Sequence, residues 1–78
     1  MDYLIKFAKK GAVTLMLGKN GNRYYVSSWD SVNERSPIAT RTFERFDNAE
    51  PVFEALRKEY GFGEAEETKF EFDYINID

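Results

Sequence analysis

Apolar and polar positions alternate most clearly on either side of a polar break at Lys19-Asn20-Gly21-Asn22. Residues 12–18 and 23–29 are rich in β-branched and aromatic side chains, the composition of strands. Asn-Gly favours positive φ at both central positions of a type I′ turn, whose twist suits a hairpin. The pattern predicts two antiparallel strands joined by the two-residue loop Asn20-Gly21. In that register Leu17 faces Tyr24, Leu15 faces Val26 and Val13 faces Ser28 on one side of the sheet. Met16 with Tyr25, Thr14 with Ser27, and Ala12 with Trp29 share the other side.

Ahead of the hairpin, Tyr3, Ile5 and Phe7 alternate as in a strand. Asp2 as a cap, with Lys9, Lys10 and Gly11 as a stop, also fits a short helix. A strand is favoured, because a hairpin alone is barely stable and a third strand shields it. After a polar loop over residues 30–37, residues 38–46 read as a fourth strand. A helix over residues 48–60 follows. Asp47 or Asn48 is its N-cap, Glu50 completes a capping-box-like pair with Asp47, and Pro51 falls in the first turn. Ala49, Val52, Phe53, Leu56 and Tyr60 form an apolar stripe at helical spacing. Gly61 suits a left-handed stop, with Phe62 as its apolar contact. Residues 63–68 read as an acidic loop. Phe70, Phe72 and Tyr74 then alternate with Lys69, Glu71 and Asp73 as a half-buried fifth strand. The expected fold is α+β: a single domain with a mostly antiparallel four- or five-stranded sheet and one helix packed on it.

Composition narrows the chemistry. A chain of 78 residues has room for one core and no Cys to staple it. The aromatic fraction of 17% is high, and aromatics bury the most area per residue. Lack of Cys fits a reducing compartment. Asp2, Lys6, Lys9 and Lys10 interrupt every apolar run before Ala12, unlike a signal peptide. No run approaches the roughly 20 apolar residues of a membrane span. A cytoplasmic protein without membrane association is expected.

With neither His nor Cys, the chain cannot build a Ser-His-Asp triad, a thiol nucleophile or an imidazole base. Gly61-Phe62-Gly63 is no dinucleotide fingerprint, because position 66 is Glu and no strand precedes it. Glu71 and Asp73, two apart on a strand, with Glu64, Glu66 or Glu67, offer oxygen ligands for Mg²⁺ or Ca²⁺. Solvated carboxylates account for the same pattern more simply. The expectation is a non-enzymatic protein without metal or cofactor; a carboxylate metal-dependent enzyme is the remote alternative.

Charge is divided unevenly. Residues 1–46 carry eight Lys or Arg against four acids, and residues 47–78 carry ten acids against three basic residues. A lopsided distribution serves recognition of a partner. The denser acidic cluster, including Glu64, Glu66, Glu67, Glu71 and Asp73, suits a protein partner with a basic surface. Met16, Tyr25 and Trp29 project together from one hairpin face. They are core if the helix covers that face and a binding face if it covers the other. Tyr and Trp are favoured interface anchors. With Arg23 and Arg41 nearby they can also stack on nucleobases, which makes a nucleic-acid-binding module the alternative. The pI of about 4.9 argues against nucleic acid as the main partner.

The order of elements resembles that of small phage anti-CRISPR inhibitors of the type I-F surveillance complex. The likeness rests on an N-terminal strand beginning at Met1, the Lys19-Asn20-Gly21 hairpin, and the strand-to-helix run over residues 39–56. It spans about two-thirds of the chain. It implies a non-catalytic inhibitor that occludes a nucleic-acid-binding surface on its target. Contacts in that family include hairpin tyrosines, whereas Gly18 precedes Lys19 here. The acidic C-terminal residues 70–77 also depart from the family's pattern.

Overall fold

The computed structural model describes residues 2–68. Along the chain these form β1 (Asp2–Lys10), β2 (Val13–Asn20), β3 (Arg23–Asp30), β4 (Arg41–Phe43), α1 (Phe46–Glu59) and β5 (Glu66–Glu67). The strands make one sheet of order β4-β3-β2-β1-β5, antiparallel at every pairing. This is the expected α+β architecture. No helix among the described residues is long and apolar enough to cross a membrane.

The N-terminal segment is a strand, not a helix, and pairs with β2 along its length. Its register shifts between Leu4 and Lys6, so Ile5 is bulged. The bulge breaks the plain alternation of Tyr3, Ile5 and Phe7. Leu4 and Phe7 consequently share one face, while Lys6 and Ala8 share the other.

The second hairpin turns at Gly21-Asn22 rather than at Asn20-Gly21. Gly21 has φ of 64° and Asn22 does not have positive φ, the pattern of a type II′ turn. That turn needs positive φ only at its first central position, where Gly carries no penalty. Leu17 therefore pairs with Val26 and Leu15 with Ser28. The slip from the expected register is two residues, so each side chain keeps its expected face.

One face carries the core. Ala8, Leu15, Leu17 and Val26 of the sheet pack against Ala49, Phe53 and Leu56 of α1 and against Phe62. The helix begins at Phe46, earlier than expected, and its N-cap is Arg45 without a side-chain cap bond. Phe46 meets Tyr24 edge-on at 5.8 Å, which anchors the first turn on the sheet. Pro51 consequently sits in the second turn, where its ring leaves the Asp47 carbonyl without an i+4 donor. The helix stops as expected. Gly61 has φ of 74°, its N–H donates to the Lys58 carbonyl, and Phe62 N–H donates to the Arg57 carbonyl. Tyr60, expected in the apolar stripe, is instead 45% exposed.

The fourth strand is only three residues long. Farther along, a side chain replaces ladder bonds: Ser28 Oγ accepts from Ile38 N–H at 2.9 Å and donates to its carbonyl at 3.0 Å. The expected acidic loop over residues 63–68 is partly a strand. Glu66 pairs with Phe7 and Glu67 with Lys6. Gly63 N–H donates to the Lys9 carbonyl and Thr68 N–H to the Ile5 carbonyl, so the segment satisfies the free edge of β1. The strand expected at residues 70–74 lies outside the described residues.

Candidate functional site: the open face of the sheet

Because α1 covers the Leu15, Leu17 and Val26 side, Met16, Tyr25 and Trp29 occupy the opposite face, on which no helix among the described residues packs. Three cross-strand rows organise that face. Thr42, Tyr25, Gly18 and Leu4 form one. Ser27, Met16, Phe7 and Glu66 form the next. Trp29, Thr14 and Lys9 form the third. Met16, Tyr25 and Phe7 are half-buried, and Trp29 is 44% exposed.

Gly18 explains how Tyr25 lies here. A Cβ built on Gly18 would stand 2.3 Å from both Cζ and Oη of Tyr25. The tyrosine ring therefore rests directly on the glycine backbone, and Gly18 is buried beneath it. Beside the ring a groove of about 660 Å³ opens toward β4, bounded by Met16, Asn20, Arg23, Ser27 and Thr42. Arg23 Nη2 donates to Thr42 Oγ1 at 3.3 Å, and its Nη1 lies 3.9 Å from the exposed Glu44 carboxylate.

The acids divide by partner. On the helix side, Lys6 Nζ donates to Glu50 at 2.9 Å, lies 3.9 Å from Glu54, and stands over the Phe53 ring. Arg57 binds Glu54 through Nε and Nη2 and reaches the Gly63 carbonyl, tying α1 to the segment before β5. Glu64, Glu66 and Glu67 are exposed and make no ion pair among the described residues. Glu66 lies on the open face beside Phe7, whereas Glu67 lies on the helix side beside Lys6. The structure thus joins Glu66 to Met16 through Phe7, separates Glu67 from them, and leaves Glu71 and Asp73 outside the described residues. Among the described residues no group of three or more acids could hold a metal ion.

One end of the face carries a fixed loop. Asp30 Oδ1 accepts from the N–H groups of Val32 (2.9 Å) and Asn33 (3.1 Å), and Oδ2 accepts from Asn33 Nδ2 at 2.9 Å. The Asn33 backbone N–H, with that side-chain amide, the Val32 N–H and the Arg35 charge, holds the Asp30 carboxyl below its ordinary range against partial burial. Glu34 has φ of 55°, and Val32 at the tip is 75% exposed.

Sequence reasoning missed Leu4, Phe7 and Lys9 as members of this face. The bulge at Ile5 sets their side, and no residue in β1 signals it. Gly18 did carry a signal: glycine inside a strand marks a close approach of another group. Comparison with protein families, with curated proteins and with solved structures found no match.

Proposed function

We propose that this protein is a non-enzymatic binding domain that docks through its open sheet face onto a protein with an apolar patch bordered by basic residues. The observation that carries the reading is the row Ser27, Met16, Phe7 and Glu66, next to half-exposed Trp29. That row places apolar contact area and an acid with no ion pair among the described residues on one surface. Met and aromatic residues are enriched at interfaces, where large side chains bury area and charges at the rim steer encounter. Glu64 continues the acidic rim along the β5 edge. The lack of His and Cys supports a mode of action without catalysis. A target that ordinarily grips nucleic acid supplies the required basic surface. Occlusion of such a surface in the cytoplasm, as in the anti-CRISPR inhibitors whose element order this chain resembles, is the specific form proposed.

The test is capture from a host lysate by immobilised protein in four forms. These are the parent, Trp29→Ser, the triple variant Glu64→Gln, Glu66→Gln and Glu67→Gln, and the helix variant Asp47→Asn with Lys58→Gln. The parent and the helix variant should retain the same protein, released by salt, and the other two should lose it. Equal retention by all four forms, or loss only in the helix variant, would remove the open face from consideration.

A further inference from the structure

The groove on the β4 side of the open face shares Met16 and Ser27 with the docking row and adds a chemistry of its own. Its volume of about 660 Å³ lies within the range of roughly 300–1,000 Å³ typical of small-molecule sites. The cavity by Lys10, Ile38 and Phe62, at about 230 Å³, falls below it. Three kinds of group converge on the larger groove. Tyr25 offers an aromatic ring with Met16 beside it, giving a flat, polarisable surface. Asn20, Ser27 and Thr42 offer neutral donors and acceptors. Arg23 offers a planar cationic fork suited to phosphate.

Arg23 gives the groove its site for an anion. Among the described residues Glu44 is the acid paired with Arg23, at 3.9 Å, and its side chain is 82% exposed. So solvated a pair is weak and yields to a bidentate phosphate. Lys19 and Arg41 project to the helix side of the sheet, Lys19 over the Tyr24 ring, so Arg23 is the cation of the groove among the described residues.

We propose that this groove binds a free mononucleotide, with its base against Tyr25 and Met16, its sugar and base edges among Asn20, Ser27 and Thr42, and its phosphate on Arg23.

The experiment is an NMR titration of isotope-labelled full-length protein with UMP and with AMP. Separate arms use uridine, inorganic phosphate and a short oligouridylate. Either nucleotide should shift the amides of Met16, Arg23, Tyr25 and Thr42 to saturation. Uridine and phosphate alone should each bind at least about tenfold more weakly, since each forfeits part of the contact. Arg23→Gln should weaken nucleotide binding about tenfold, the usual scale for a charge-assisted bond. Arg23 is 55% exposed, so this variant should keep the parent spectrum outside the groove. Lys58→Gln, on the helix, should bind as the parent does. Absence of a saturable shift with both nucleotides would overturn the proposal. So would an Arg23→Gln variant with unchanged affinity. Phosphate binding as tightly as UMP would reduce the groove to a simple anion site, and much tighter oligouridylate binding per nucleotide would assign it to a polynucleotide; each result contradicts the proposal.

Discussion

Replacing Gly18 with Ala tests the packing of the open face directly. The new Cβ would stand 2.3 Å from Tyr25 Cζ and Oη and 2.7 Å from Cε2, against an ordinary contact of roughly 3.5–4.0 Å. The atoms it meets are the far end of a side chain, so the ring swings away while the strand keeps its path. Two effects then oppose each other. Displacing a packed ring is an overpacking event, costing about 1–3 kcal/mol. Ala in a strand is favoured over Gly by about 0.5–1 kcal/mol. Overpacking wins, with a net loss of about 1–2 kcal/mol. For a domain of this size that lowers the melting temperature by about 4–8 °C per kcal/mol. The decisive measurement is a double-mutant cycle by urea unfolding with Tyr25→Ser. Without the ring the steric term vanishes, and Gly18→Ala should become stabilising by about 0.5–1 kcal/mol. A change of sign between the two backgrounds is the signature of a ring resting on the glycine. If Gly18→Ala stabilises the parent as well, or costs the same in both backgrounds, the ring does not rest there.

Three further outcomes follow from the geometry. Ser28→Ala removes both bonds to the Ile38 backbone at a site 2% exposed, and should cost about 2–4 kcal/mol by urea unfolding, with faster exchange of the Ile38 amide; a cost near zero would show that water replaces the hydroxyl. Trp29→Ala should cost about 1–2 kcal/mol, well short of the about 3–5 kcal/mol expected for a buried Trp, because 44% of the residue is exposed; a loss at the larger value would place it in the core. The Asp30 carboxyl is depressed in the folded state, so its contribution is complete above the ordinary value of 3.8 and is lost as pH falls through the folded-state value. The Val32 and Asn33 amide signals should therefore hold their positions at pH 3.8 and move together only at lower pH, and a common midpoint at or above 3.8 would contradict the hydrogen-bonded loop.

The two faces of the hairpin were legible because side-chain alternation has a period of two. A register slip of two residues at Gly21-Asn22 therefore changed the partners and left the faces intact. The helix stop at Gly61-Phe62 was legible because few sequences satisfy its terminal carbonyls so well. The helix start was not. The capping pattern at Asp47 and Glu50 is a local preference, and the packing of Phe46 on Tyr24 moved the start of the helix to Phe46. The bulge at Ile5 was illegible because nothing in β1 marks it, and it decided that Phe7 would adjoin Met16 and Glu66. The pairing of Glu66 and Glu67 with β1 was hidden by their charge, since an edge strand needs backbone partners more than apolar side chains.

Side-chain footprinting by hydroxyl radicals, with and without a captured partner, tests the central claim most directly. The chain has a single Trp, so Trp29 reports on the open face without ambiguity. Tyr60, at the C-cap of α1 and 45% exposed, serves as the reference. Docking through the open face predicts that Trp29 and Met16 lose labelling in the complex while Tyr60 is labelled as in the free protein. Protection of Tyr60 with Trp29 and Met16 unchanged would place the interface elsewhere and contradict the account.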